Sequence, residues 1–292
     1  MTGHALFAQY AYPPNELGYC GPTDSAAQLG HNPTQLASHA EEFDGAWPYL
    51  AAIADAVGGA DPLDEDVVRS YWVGGPSLEK VDPDQLLARL RTAFKGQVTG
   101  LLDELATSTG VLAHHSFHVF VVYPWVRFLR RDPTTAVRVM QDCRIRWGTV
   151  ESVAGEQATV ASRPLQFEHG RLRLGDTQTE QVRWSKEGVS LAPPPEPGTT
   201  VSAHWDWVCG TLTDDESAAL AAATQATLDL VNATWSETVS VKQPQMSARA
   251  KSHRWSTLVG TGADGDERLR EEQTACDERL REEQTALRGD RE

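Results

Sequence analysis

The sequence predicts an α+β protein with an N-terminal all-α helical bundle, followed by a small OB-like β-barrel with a C-terminal helix. Up to about residue 142, apolar residues recur at every third or fourth position, which is the period of an amphipathic helix. From Cys143 the period changes to two, and Gly-containing turns separate short runs, which is typical of strands. We therefore predict a helical domain over residues 1–142, a barrel with its closing helix over 143–235, and a tail over 236–292.

The N-terminus is expected to form a loop rather than a helix, because turn-forming residues cluster at 12–15 and 18–22. Two Asp-Pro pairs, Asp82-Pro83 and Asp132-Pro133, each supply an N-cap followed by proline at the first helical position. Residues 111–129 are apolar on most sides and predict the central buried helix of the bundle, kinked or broken at Pro124. Helices are expected over residues 33–39, 41–57, 64–72, 82–105 and 111–129, and from 132 to Cys143.

After Cys143 about five short strands are expected, which is the usual number for an OB-like barrel. The predicted strands cover residues 145–149, 157–161, 171–174, 181–184 and 200–208. Residues 192–198 contain four prolines, so they are predicted to be a loop that leads into the last strand. Thr213 or Asp214 would cap a final alanine-rich helix over about 215–232.

The tail is predicted to be a linker followed by a repeated segment. Residues 236–265 lack a sustained apolar face, which indicates a linker or disorder. Residues 266–275 recur as 277–286, with a period of eleven residues. One Leu per repeat is too little for a coiled-coil seam, so we favour a solvated helix with Glu/Arg pairs.

Composition excludes several classes of function. The net charge of −15 argues against nucleic-acid binding, which needs clustered Lys and Arg. The longest nearly apolar run, 117–126, is far shorter than the roughly 20 residues that cross a bilayer. The first ten residues contain no Lys or Arg and do not resemble a secretory signal, so a cytoplasmic protein is expected. The four cysteines form no C-x-x-C pair, so reduced thiols are expected.

The two ends of the predicted barrel carry patterns of a known family, the HypC/HupF/HybG hydrogenase-maturation chaperones. Cys143-Arg-Ile-Arg-Trp-Gly-Thr-Val150 is similar to the family's C-x-x-x-P-G-x-V motif. Residues 198–209, Gly-Thr-Thr-Val-Ser-Ala-His-Trp-Asp-Trp-Val-Cys, are similar to its G-D-x-V-x-V-H-x-G-x-A run. The chain departs from the family at Trp147, where the motif has Pro, and at Asp206, where it has Gly. Cys143 is also internal, whereas the family's Cys follows the initiator Met.

This resemblance implies a metallochaperone rather than an enzyme. In those chaperones the Cys and the His hold a low-spin iron that carries cyanide and carbon monoxide and is passed to the hydrogenase large subunit. It implies the same role for Cys143 and His204, with the large subunit and other maturation proteins as partners. A thiolate and a neutral imidazole suit iron(II), and closure of the barrel would place the first and last strands side by side. The alternative is a buried free Cys and a His that ends a strand.

The whole chain also resembles an uncharacterised actinobacterial family whose genes accompany those of nickel–iron hydrogenases. The motifs that carry this resemblance are Tyr19-Cys20-Gly21-Pro22 and His204-Trp205-Asp206-Trp207. Cys20 lies in a turn-rich loop and is a tentative third ligand; alternatively it is a small apolar side chain tucked under a turn. If the helical domain contributes Cys20 or the cluster of His114, His115 and His118 to chemistry, the protein would instead be an enzyme that makes or processes an iron ligand.

Two further sets of side chains are candidates for binding. His114 and His118 would share one helical face, with His115 beside them, and are alternative metal ligands. No carboxylate stands between them as H-E-x-x-H requires, so histidines satisfied within the core are favoured. Trp147, Trp205 and Trp207 are candidate partner-binding residues, because Trp often anchors interfaces. A scaffold without metal handling is the remaining alternative.

Overall fold

The computed structural model describes residues 2–21 and 39–241, with side chains up to residue 235. It confirms the α+β fold class, with a helical part followed by a sheet and a long C-terminal helix. Met1–Thr238 form one compact unit, in which the helices and the barrel pack on each other. The division into two domains at residue 142 stays a prediction. Among the described residues, none of the helices combines the length and apolar character that crossing a membrane requires.

The N-terminus forms a helix, α1 (Gly3–Glu16), where a loop was expected. Thr2 caps it by accepting a hydrogen bond from the Ala5 amide at 3.3 Å. Pro13 and Pro14 lie in the last turn and cannot donate to the carbonyls of Gln9 and Tyr10, so the helix forms without these two hydrogen bonds. The prediction was wrong because it gave weight to these prolines, whereas nearly every residue from Leu6 onward is buried and the tertiary packing stabilises the helix.

Most of the other helices lie close to their predicted positions. The helices are α2 (Trp47–Ala56), α3 (Glu65–Trp72), α4 (Pro83–Ala93) and α6 (Pro133–Cys143). Asp82 and Asp132 are N-caps as predicted, and accept from the amides of Gln85 and Thr135 at 3.0 and 3.1 Å. Helix α2 begins at Trp47 rather than at the expected residue 41, because residues 39–42 form a separate 3-10 turn.

The helix expected over 82–105 ends at Ala93. The amides of Gly100 and Leu101 donate instead to Val122 and Val121, at 2.8 and 2.7 Å, so tertiary pairing replaces the helical hydrogen bonds. A short 3-10 helix, Leu102–Glu104, follows.

The segment predicted as one central helix, 111–129, is buried but is not a continuous α-helix. A short helix α5 (His115–Phe117) passes into a π-helical turn, His118–Val122, and a 3-10 helix covers Pro124–Arg130. The break at Pro124 was predicted correctly, because the residue before a proline is driven to extended backbone and Tyr123 has a ψ of 142°. Single π-helical turns occur often at functional sites.

The barrel consists of five strands in the order β1-β2-β5-β9-β8, with β8 paired to β1. The ring closes through a single parallel pair, Arg183 of β5 with Trp207 of β9. Gly148 allows β2 to approach β1, since a Cβ there would lie 2.3 Å from the Ala161 carbonyl oxygen. The strands are β1 (Arg146–Ala154), β2 (Gln157–Ser162), β3 (Leu165–Glu168), β4 (Arg171–Leu174), β5 (Gln178–Arg183), β6 (Ser185–Lys186), β7 (Val189–Ser190), β8 (Thr200–His204) and β9 (Trp207–Thr211).

The interior of the barrel is filled by small apolar side chains. They are Val150, Ala158, Val160, Val182, Val201, Ala203 and Val208. Two short hairpins, β3-β4 and β6-β7, lie outside the ring of strands. Helix α7 (Asp214–Val241) closes the described chain and is longer than predicted. The predicted helix over 33–39 lies mostly outside the described residues, as do the tail from 242 and its repeats.

Candidate metal centre

Three side chains from three elements converge at the junction of the helices and the barrel. They are His115 of α5, Cys143 at the end of α6, and His204 at the end of β8. One potential ligand atom from each lies within 4.8 Å of the other two. All three residues are buried, with at most 7% of their surface exposed. A buried thiol and two imidazoles at this separation are a donor set for a transition metal such as Fe(II) or Zn(II).

Antiparallel pairing of β1 with β8 brings Cys143 and His204 together. Arg146 of β1 pairs with Ala203 of β8, so the residues just before β1 lie beside the residues that end β8. The Trp205 amide extends this pairing by donating to the Asp142 carbonyl at 2.8 Å. The expectation that barrel closure would bring these distant residues side by side is therefore confirmed.

Arg146 fixes the backbone on both sides of this pair. Its side chain, 4% exposed, forms an ion pair with Glu180 of β5 at 3.0 Å. Its guanidinium also donates to the Asp142 carbonyl at 3.2 Å and to the Trp205 carbonyl. These acceptors adjoin Cys143 and His204, so one buried cation connects both ligand-bearing segments to the barrel wall.

We expect Arg146→Met to lower the free energy of unfolding by about 3 kcal/mol, because breaking a buried ion pair leaves its partners without a donor. Urea denaturation followed by circular dichroism measures this change. The matched control is Arg173→Met, whose ion pair with Glu168 at 2.6 Å is about half exposed. An exposed pair contributes at most about 1 kcal/mol, so equal losses in the two variants would contradict the role given to Arg146.

Helix α1 orients the His204 imidazole. Pro14 has no amide hydrogen, so the Tyr10 carbonyl, four residues earlier, has no helical partner from it. His204 Nδ1 lies 2.6 Å from this carbonyl oxygen, which can only accept, so Nδ1 carries the proton. Nε2 of His204 is buried and has no hydrogen-bond partner among the described residues. A metal-binding imidazole typically has this arrangement, with one nitrogen donating to a carbonyl and the other free.

Tyr71 can set the tautomer of His115 in the same way. Its hydroxyl donates to the Gly45 carbonyl at 3.0 Å and lies 3.1 Å from His115 Nδ1. Because the hydroxyl has a single proton, it accepts from Nδ1 whenever it donates to Gly45, and Nε2 then keeps its lone pair. In the opposite tautomer, Nε2 donates to the Cys143 carbonyl at 2.9 Å. Because a carbonyl can only accept, this second tautomer is the one that satisfies the 2.9 Å contact in the metal-free protein. A metal at Nε2 would therefore replace this hydrogen bond, and Tyr71 would then accept the proton that moves to Nδ1.

Burial keeps the site uncharged without a metal. Desolvation lowers the pKa of His115 to about 4 and holds the pKa of His204 well below its usual value. Burial also raises the pKa of the Cys143 thiol, and the charge of Cys20 raises it further. The imidazoles are thus neutral at neutral pH, as ligation requires, whereas the thiol needs the positive charge of a metal to lose its proton.

Residues 1–238 match a family described as a family of unknown function, DUF6390. The chain belongs to this family. No curated protein and no solved structure matches the chain.

Of the three clustered histidines, His115 is the one that lies with Cys143 and His204, whereas His114 and His118, the predicted alternative ligands, are buried among other partners. His114 is the N-cap of α5, where its Nδ1 accepts from the Ser116 amide at 3.0 Å. His118 lies in the π-helical turn, with its Nδ1 3.5 Å from the Tyr49 hydroxyl. Neither joins Cys143 and His204; His115 does. The sequence does place His115 in a cluster of histidines. A regular helix, however, would put His114 and His118 on one face and His115 beside that face, so His115 was not named as a ligand.

Cys20 lies near this site but is not one of the three converging residues. Its side chain is partly exposed, and burial together with Asp44 raises its thiol pKa to about 12. The Asn15 side-chain amide donates to its carbonyl at 2.8 Å and fixes the loop after α1. Its role as a third ligand stays a prediction.

The tryptophans of the proposed partner-binding edge are mostly internal. Trp207 is completely buried and donates through Nε1 to Glu16 of α1 at 2.8 Å. Trp205, 6% exposed, stacks on Tyr19 with ring centroids 4.4 Å apart. These two rings thus pack the helices on the barrel rather than forming an exposed edge. Trp147 is partly exposed beside Arg144, and its role in partner binding stays a prediction.

The turn that follows His204 has an unusual backbone. Trp205 has a φ of 51°, which bulky L residues rarely adopt because the side chain crowds the following carbonyl. Its carbonyl accepts from Arg146, its amide donates to Asp142, and its ring stacks on Tyr19. Such residues persist where the surroundings over-determine them, and they cluster at functional sites.

Proposed function

We propose that this protein is an accessory protein of nickel–iron hydrogenase maturation that binds an iron fragment carrying cyanide and carbon monoxide and passes it on. Cys143 and His204 would hold this cargo, with His115 as a further ligand, and the hydrogenase large subunit and other maturation proteins would be the partners. The observation that carries the proposal is the convergence of Cys143 and His204, the two residues singled out by the resemblance, at one buried point.

Two features of the site support a carrier of metal. Neutral imidazoles and a single thiolate bind Fe(II) without an excess of negative charge. The free Nε2 of His204 and the hydrogen bond on its Nδ1 are those of a ligand held in advance. Because the three residues are buried, transfer to a partner would require the helices and the barrel to separate near the stacked pair Tyr19–Trp205.

The second candidate is an enzyme that makes or processes an iron ligand. The observation that favours it is the third donor, His115, because three protein ligands with an open position are usual for catalytic metal sites. In this case the metal would be resident rather than cargo, and Cys20 would contribute from the adjoining loop.

Infrared spectra of protein purified anaerobically from cells that assemble hydrogenase test the carrier function. We expect cyanide and carbonyl bands in the wild type that vanish in Cys143→Ala, because the thiolate is the anionic ligand. Cys209→Ala is the matched control, since Cys209 is also a buried free thiol but lies outside the converging set. Spectra without these bands, with hydrogenase assembly unaffected by Cys143→Ala or His204→Ala, would favour a scaffold. Loss of maturation in Cys20→Ala with iron binding intact would favour the enzyme.

A further inference from the structure

An indole nitrogen without a partner lies against the candidate metal centre. Trp72, the last residue of α3, is 3% exposed, and its Nε1 has no hydrogen-bond partner in the part of the chain that the structure describes. Its ring contacts both imidazoles at a tilt of about half a right angle, with centroids 4.6 Å from His115 and 5.6 Å from His204. Leaving a buried N–H unsatisfied destabilises a fold, so such a group needs a physical explanation.

Two donors whose rings contact Trp72, the hydroxyls of Tyr10 and Tyr71, already have partners. The Tyr10 hydroxyl, whose ring stacks on Trp72, lies 2.8 Å from Ser202 Oγ. The Tyr71 hydroxyl donates to the Gly45 carbonyl at 3.0 Å. Nε1 of Trp205, the residue after His204, is also without a partner among the described residues, but its ring stacks on Tyr19 rather than on an imidazole. Of these donors, only the Trp72 indole N–H both lies against the imidazoles and remains available to a group that is not part of the protein.

The donor set also leaves room for such a group. His115, Cys143 and His204 supply three ligands, whereas Zn(II), Co(II) and Fe(II) take at least four. The Trp72 ring contacts both imidazoles, so it forms part of the wall around the space in which a fourth ligand would be enclosed. An anion there would gain from a charge-assisted hydrogen bond inside a buried site.

We propose that the metal held by His115, Cys143 and His204 binds a small exogenous anion at an open position, and that this anion accepts a hydrogen bond from Trp72 Nε1. This inference rests on the metal site of the proposed function, but does not depend on a role in hydrogenase maturation. Trp72 is a ligand-binding residue in this assignment, and it selects small anions with a lone pair directed away from the metal.

Azide binding to the Co(II)-loaded full chain tests this assignment, because visible absorption reports both metal binding and a change in coordination. We expect wild type to bind azide, and Trp72→Phe to bind Co(II) equally well but azide roughly tenfold to a hundredfold more weakly, the effect of one hydrogen bond to an anion. Trp125→Phe is the matched control, since Trp125 is also buried but packs on Phe128. Equal azide affinities in all three proteins would overturn the role of Trp72.

A second measurement on the wild type does not depend on how the variant folds. In nitrogen-15 spectra of the Zn(II)-loaded protein, azide is expected to move one of the nine tryptophan indole N–H signals downfield, as a new hydrogen bond requires. Unmoved indole signals at saturating azide would contradict the proposal. Co(II) bound without any azide response would show a closed site, whereas failure to bind Co(II) at all would also overturn the metal site itself.

Discussion

His115→Gln is expected to weaken Co(II) binding about 100-fold, because it removes one of three protein ligands while keeping a hydrogen-bonding side chain. Changing a residue that merely supports a ligand costs about 10- to 100-fold, so the loss of a ligand should reach at least the upper value. Competition with a chelator of known affinity, read from the thiolate-to-cobalt absorption, measures the change. Circular dichroism confirms that each variant has folded.

His118→Gln is the control for this prediction. His118 is buried in the same segment and its ring lies 6.4 Å from that of His115, but it is not one of the converging donors. We expect its Co(II) affinity to stay within about threefold of the wild type, a change below about 1 kcal/mol. If both variants bind as tightly as the wild type, the proposed centre would be a two-ligand site of Cys143 and His204.

The strands, and the proximity of the first and the last of them, were predictable from local patterns and topology, whereas the choice of Cys143 and His204 came from the motif resemblance. A change of period to two marks the strands, and closing a barrel places its first and last strands together whatever their separation in sequence. Gly148 is needed where β2 approaches β1. These features depend little on how the helices pack against the barrel.

The helical contribution to the site was not predictable, because it depends on departures from regular geometry. A continuous helix over 111–129 would put His114 and His118 on one face, but the helix begins after His114 and turns π-helical at His118. Likewise, Pro13 and Pro14 are ordinary signals for a loop, yet α1 forms and Pro14 leaves the Tyr10 carbonyl free for His204. Packing decided both outcomes, and no sequence pattern encodes it.

The metal-free protein is expected to lose stability steeply as the pH falls below about 6.5, because it buries four neutral histidines. Burial lowers the pKa of His114 and His118 to about 3 and that of His115 to about 4, and lowers that of His204 as well. Between these values and 6.5 the unfolded chain binds more protons than the folded protein. The free energy of unfolding therefore decreases as the pH is lowered. Each histidine contributes up to about 1.4 kcal/mol per pH unit in that window.

Asp142 opposes this trend but does not cancel it. Burial raises its pKa to about 6, so between about 4 and 6 the fold holds one proton more than the unfolded chain. One group of this kind offsets about one of the four histidines, and a positive slope of stability with pH remains. Urea midpoints measured from pH 7 to 5 give that slope.

Single substitutions measure how much each histidine contributes to the pH dependence of the free energy of unfolding. His118→Phe removes one titrating group from an aromatic environment and is expected to reduce the slope by roughly the contribution of one histidine. A bound metal occupies His115 and His204 and competes with protons for them, so loading with Zn(II) should shift the acid transition to lower pH. If the stability of the metal-free protein does not change with pH, folding does not lower the pKa values of these histidines, which would contradict the prediction.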